Sequence, residues 1–157
     1  MKEILVFRCD EEIHAPIDIV FQYLNDDEKI KLWNRLLIEN LYEENQKDQL
    51  ASKAKFKTVQ KIGDNKITVD VELVEYDPPH KVVLHSHSKE GISITKYLLS
   101  EKGENTYLVV EASIIPSNLW YKLVAKLFSM AAVTNFKNQY RNLKLYVEKN
   151  KDHSLNA

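Results

Sequence analysis

Two histidines, His85 and His87, stand two residues apart in a segment of strand-like composition, so their side chains share one face. Such a pair can bind a metal or exchange protons near neutral pH. No third ligand at a recognisable spacing accompanies them, and no metal is expected. Val82 and Leu84 form an equally apolar opposite face, so the plainer reading leaves the histidines in water. Turned inward, neutral imidazoles would hydrogen-bond a ligand carbonyl or hydroxyl. Glu111 and Tyr107 also share a strand face, and a carboxylate in a dry pocket would gain a raised pKa suited to proton transfer. Alternation favours Leu108, Val110, Ala112 and Ile114 as the inward set and puts Glu111 in water, unless a bulge swaps the faces. Tyr97 and Thr95 pose the same question against Ile92, Ile94 and Leu98. Trp33 and Trp120 fall at element ends, where an indole can cover a pocket mouth or serve as a packing anchor. Nucleophile elbows and phosphate-binding glycine loops are absent from the sequence, and Cys9 has no recognisable catalytic context.

These residues need a scaffold. The 157 residues suit one domain over 1–149 with a polar, frayed tail over 150–157. A chain of this size buries roughly 70% of its unfolded surface without help from disulfides. The single Cys9 excludes an intramolecular disulfide and agrees with a reducing, cytoplasmic setting. Lysines and glutamates are interleaved at a net charge of −1, which argues against nucleic acid as a partner. No apolar run is long enough for integral membrane association. Lys2 to Ile13 reads as a strand ending at Ala15-Pro16. Pro16 fits the first position of a short amphipathic helix carrying Ile17, Val20, Phe21 and Leu24, with Asp18 in its positive first turn. Asn25-Asp26-Asp27 caps a second short helix through Trp33.

From Leu36 to Ile115 strand-like runs alternate with turn clusters at Glu44–Lys47, Gly63–Asn65, Asp77–Pro79, Glu90-Gly91 and Lys102–Asn105, the spacing of an antiparallel meander. Ile67, Val69, Val71 and Leu73 alternate with Lys66, Thr68, Asp70 and Glu72, so that strand has one buried and one wet face. After Pro116, Ser117 or Asn118 can cap a helix that meets no glycine or proline before about Lys149. Trp120, Val124, Leu127 and Ala131 form one stripe on this helix; Phe136, Tyr140, Leu143 and Val147 form another, about 160° away. One straight helix cannot turn both towards one sheet. The offset predicts a break or bend around Met130 to Thr134; otherwise the first half is covered on its far side by the helical hairpin, a lid position or a second subunit.

The order of elements resembles the START-related superfamily often called SRPBCC, and within it polyketide cyclase/dehydrase-like and birch-pollen-allergen-like proteins. The residues carrying the resemblance are Ile13, Ala15-Pro16, Val20-Phe21, Trp33, the Asp77-Pro78-Pro79 turn, Thr106 after a glycine turn, and Asn142-Leu143-Lys144 near Tyr146 and Glu148. The resemblance implies an α+β helix-grip fold: a bent antiparallel seven-stranded sheet, two short helices after its first strand, and a long C-terminal helix over the concave face. It also implies an apolar cavity between sheet and helix that binds a small hydrophobic molecule of lipid, polyketide or isoprenoid type, with no cofactor. The candidate lining is Trp33, Val69, Val71, His85, His87, Tyr97, Tyr107, Val110, Trp120, Val124, Leu127 and Phe128. Two other readings compete. One is a cyclase or dehydratase working by proton transfer in the same cavity, which needs an inward titratable group with a perturbed pKa. The other is an interaction module docking through the first half of the last helix, which needs that stripe exposed in the monomer.

Overall fold

The computed structural model describes residues 1–43 and 50–155. Its elements are β1 (Ile4–Ile13), α1 (Ile17–Asn25), α2 (Asp27–Trp33), β2 (Leu37–Tyr42), β3 (Lys55–Ile62), β4 (Asn65–Asp77), β5 (Lys81–Ser88), β6 (Gly91–Lys102), β7 (Asn105–Pro116) and α3 (Leu119–Leu155). The seven strands form one antiparallel sheet in the order β1-β7-β6-β5-β4-β3-β2. This is the helix-grip architecture expected from the sequence. The turns at Gly63–Asn65, Asp77–Pro79, Glu90-Gly91 and Lys102–Asn105 join strands as anticipated, with a cis Pro78–Pro79 peptide between β4 and β5; the Glu44–Lys47 cluster lies outside the described residues.

Local chemistry accounts for the helix starts. α1 begins directly after Pro16, one residue later than the proline's expected place inside the helix. α2 is capped by Asp26, whose carboxylate accepts from the backbone N–H groups of Glu28 (2.9 Å) and Lys29 (3.2 Å). α3 is capped by Asn118, whose Oδ1 accepts from Tyr121 N at 3.0 Å. Ser117 instead ties two loops together, its backbone N–H donating to Glu90 O and its hydroxyl to Lys89 O, both in the β5–β6 turn. Gly91 in that turn has φ +141°, and a Cβ there would lie 2.1 Å from Ile115 O. The end of β7 is thereby locked onto the β5–β6 turn just before α3 departs.

The core lies between the concave sheet face and the helices. It gathers Phe7 and Ile13 of β1, Leu108 and Val110 of β7, Leu99 of β6, Val82 of β5, Leu73 of β4, most of α1, Trp33 of α2, and Tyr140, Leu143 and Val147 of α3. Leu108, Val110 and Ala112 are the inward set of β7, as alternation predicts, and Ile13, Val20, Leu143 and Val147 are fully excluded from water. On β4 burial is confined to the later part: Val71 and Leu73 are buried, Val69 is half-buried and Ile67 is exposed.

Of the break or bend expected around Met130 to Thr134, no break occurs. α3 is one uninterrupted helix of 37 residues, and it runs past Lys149 into the segment expected to fray. That last turn is anchored by Lys151 Nζ, which donates to His14 O at 2.8 Å, while His14 N donates to Glu148 Oε1 at 2.9 Å. The two stripes are reconciled by exposure: only the second faces the sheet, and the first faces solvent.

Candidate functional site

On the concave face fully enclosed Thr106 donates to Ala15 O at 2.8 Å, and two phenol oxygens meet beneath α3. Tyr97 projects from β6, paired with Val110 of β7 on one side and Val82 of β5 on the other. Tyr140 comes down from α3, and the two hydroxyl oxygens are 3.0 Å apart. Around them are the rings of Phe7, Phe136 and Trp33, with centroid separations of 5.4 Å for Phe7–Phe136, 5.7 Å for Trp33–Tyr140 and 6.1 Å for Tyr97–Tyr140. Trp33 is itself fixed, its indole N–H donating to Tyr23 O at 2.7 Å. Each phenol has one hydrogen and the pair shares one hydrogen bond, so one O–H remains to donate.

Burial pushes the pKa of Tyr97 up; the bond to Tyr140 offsets this in part. For Tyr140, burial and the neighbouring Tyr97 raise it well above the ordinary phenol range. Half-buried Cys9 on β1 packs against the same core, and burial, aided by Glu11 and Asp10, pushes its thiol up to about 11. All three groups therefore stay protonated at neutral pH. They can donate hydrogen bonds, but they are poor bases and poor nucleophiles.

The other candidate residues divide by location. Val69, Val71 and Val110 are on the concave side; Val71 and Val110 are buried. Because Val82 and Leu84 face the core, His85 and His87 point to the opposite side of the sheet. There His85 lies near Glu3, and His87 Nε2 is 3.9 Å from Glu72 Oε2. Tyr107 is also on that side, its hydroxyl donating to Asp10, and Glu111 faces Arg8 at 3.3 Å. His85, His87 and Tyr107 thus stand apart from the surface beneath α3, because strict alternation holds through β5 and β7 where a bulge would have reversed it. Trp33 is a packing residue of the core, not the cover of a mouth. Trp120, Val124, Leu127 and Phe128 occupy the outward side of α3, with Trp120, Leu127 and Phe128 at 67, 65 and 65% exposure. Sequence reasoning misses Tyr140 and Cys9 as site residues. A polar-tipped tyrosine within an otherwise apolar stripe is the available signal, since a buried phenol must find a partner.

Two open concavities lie elsewhere. One of about 680 Å³ crosses β2 to β5 and is lined by Leu41, Tyr42, Phe56 and Val71 together with charged side chains, among them Lys57, Asp70 and Glu72. The other, about 530 Å³, lies where α1 starts, beside the β6–β7 turn and the end of α3. Among the described residues no three metal-ligating side chains are grouped together, and no helix is long and apolar enough to cross a membrane.

Comparison with known proteins places this geometry. No curated protein sequence matches the chain. The fold is shared with protein NE0264 from Nitrosomonas europaea (13% identity, TM-score 0.71, 96% of each chain covered). It is shared too with CalU16 from Micromonospora echinospora (15% identity, TM-score 0.61, 89% of this chain and 72% of that one). A third is DynU16, a protein of the dynemicin biosynthetic locus (18% identity, TM-score 0.64, 90% of this chain and 46% of that one). The family model described as activator of Hsp90 ATPase homolog 1-like protein matches residues 14–148, which span α1 through nearly all of α3. With a match of that extent and a helix-grip architecture, the chain belongs to the activator of Hsp90 ATPase homolog 1-like family of the SRPBCC superfamily.

Proposed function

We propose that this protein binds a small apolar molecule bearing a hydroxyl or carbonyl group, held between the concave sheet face and α3. The observation carrying the reading is the Tyr97–Tyr140 pair: two neutral phenols 3.0 Å apart among aromatic and aliphatic side chains, with one O–H in reserve. A largely apolar lining with a few convergent polar groups is the usual composition of a small-molecule site. The origin of one structural relative in a biosynthetic locus supports small-molecule handling in this fold. Binding is favoured over proton-transfer catalysis because Tyr97, Tyr140 and Cys9 all hold their protons at neutral pH. Glu11, the carboxylate that alternation puts on the same side of β1, lies 3.9 Å from Lys144 of α3.

The test is a titration with paired probes, a long-chain alcohol or ketone and the alkane of matched length, followed by the fluorescence of Trp33 beside Tyr140. The oxygenated probe binds more tightly, and the double variant Tyr97→Phe/Tyr140→Phe, which removes both hydroxyls, reduces its affinity by about 5- to 10-fold, the value of one net hydrogen bond, while leaving the alkane unchanged. Equal affinities for both probes in the wild type, or equal loss of both in the variant, would remove the basis for the reading.

A further inference from the structure

The outward side of the first half of α3 is apolar and bare. Leu119, Trp120, Leu123, Val124, Leu127, Phe128 and Met130 are between 36 and 81% exposed. They present on the order of 900 Å² of apolar surface, more than the largest patch of a typical monomer and about one partner's share of a standard interface. That area is what a second copy of the chain would need to cover, and the spacing is compatible with it. The central stripe Trp120, Val124, Leu127, Ala131 is separated by four, three and four residues, which reads the same in both directions about a point between Ala125 and Lys126.

We propose that this face is covered by a second copy of the chain, the two α3 helices packing antiparallel about a twofold axis at that point. Trp120 of one copy then meets Ala131 of the other, large against small, and Val124 meets Leu127; a self-complementary patch of this kind is what a twofold interface requires. The same operation sets Lys122 level with Ser129 and Lys126 level with Ala125, so no two lysines are brought together. It also explains where the patch stops. Leu119, the first residue of the helix, falls level with Ala132, and beyond that point the outward side turns polar at Thr134, Asn135, Asn138 and Arg141. The apolar length is the length that a partner helix starting at Leu119 covers. Cations without anions from Leu119 to Val147 suit an anionic lipid surface as well, but a flat bilayer would not impose the boundary at Ala132.

Sedimentation equilibrium of the full chain at micromolar concentration tests this, with Leu127→Asp and Trp120→Asp as variants and circular dichroism as the check on folding. The expected result is a species of twice the 18.3 kDa chain mass and a dimer weakened on the order of 30-fold or more in each variant. A monomeric wild type overturns the proposal, whether or not it co-sediments with phosphatidylglycerol vesicles. A dimer indifferent to both substitutions overturns it too.

Discussion

The two halves of α3 are built from similar residues and meet opposite surroundings. In the second half Phe136, Tyr140, Leu143 and Val147 lie on β1, α1, α2 and β7, and Leu143 and Val147 have no contact with water. In the first half the side turned in the same direction carries Tyr121, Ala125 and Ser129, all half-buried, while the large apolar residues point outward. A helix 37 residues long spans roughly 55 Å, and its large buried residues all lie in the second half. The second half is therefore a core element, and the first half is a surface element that happens to be apolar. Hydrophobic composition along a helix identifies its buried length only when the phase of the stripe is followed as well.

Substituting one leucine in each half separates the two environments most clearly. Leu143→Ala, at a fully enclosed position, lowers the unfolding free energy by about 3 kcal/mol through lost burial and the cavity left behind. Leu127→Ala leaves it within about 0.5 kcal/mol in dilute monomer. Urea denaturation of the two variants measures both, and equal losses would erase the distinction.

A second contrast is chemical. Cys9 lies beneath the seated half with its thiol pushed up to about 11, whereas a cysteine placed at the exposed Asn138 position keeps an ordinary thiol pKa. At pH 8 the native thiol reacts with iodoacetamide on the order of 100-fold more slowly than the one in Asn138→Cys, because the thiolate is the nucleophile. Comparable rates would mean that the second half opens readily.

The alkaline limb of stability shows the mildest effect. Folding raises the phenol pKa values of Tyr97 and Tyr140. Their stabilisation is complete below the unfolded value of about 10, and it is lost as the pH climbs from there through the elevated native values. Thermal melts between neutral pH and the alkaline range show a decline that begins near the unfolded phenol pKa, and Tyr140→Phe makes that decline shallower. A variant with the same decline as the wild type would put the alkaline loss elsewhere in the molecule.

Much of this architecture is legible in the sequence. The element order, the turn positions, the inward set of β7 and the caps at Asp26 and Asn118 all follow from short-range rules of periodicity, proline geometry and side-chain capping. The path of α3 does not, because two stripes out of phase are satisfied equally by a break and by an uncovered face, and no short-range rule chooses between them. The side taken by His85 and His87 is ambiguous for a related reason: Val83 and Ile94 are buried on the outer side of the sheet as well, so β5 and β6 carry apolar residues on both faces. The meeting of Tyr97 with Tyr140 joins residues 43 apart in the chain, and no local pattern encodes it.

The clamp formed by Gly91 and Ser117 changes how the exposed half of α3 can behave. Its leading end is bolted to the β5–β6 turn through Ser117, and its trailing end is gripped by the core from Ala132 onward. A strut fixed at both ends can bow or twist between its supports, but it cannot swing open like a door. Motion of this half is therefore confined to small elastic flexing, and a larger residue at Gly91 would stiffen nothing and instead tear out one of the two mountings.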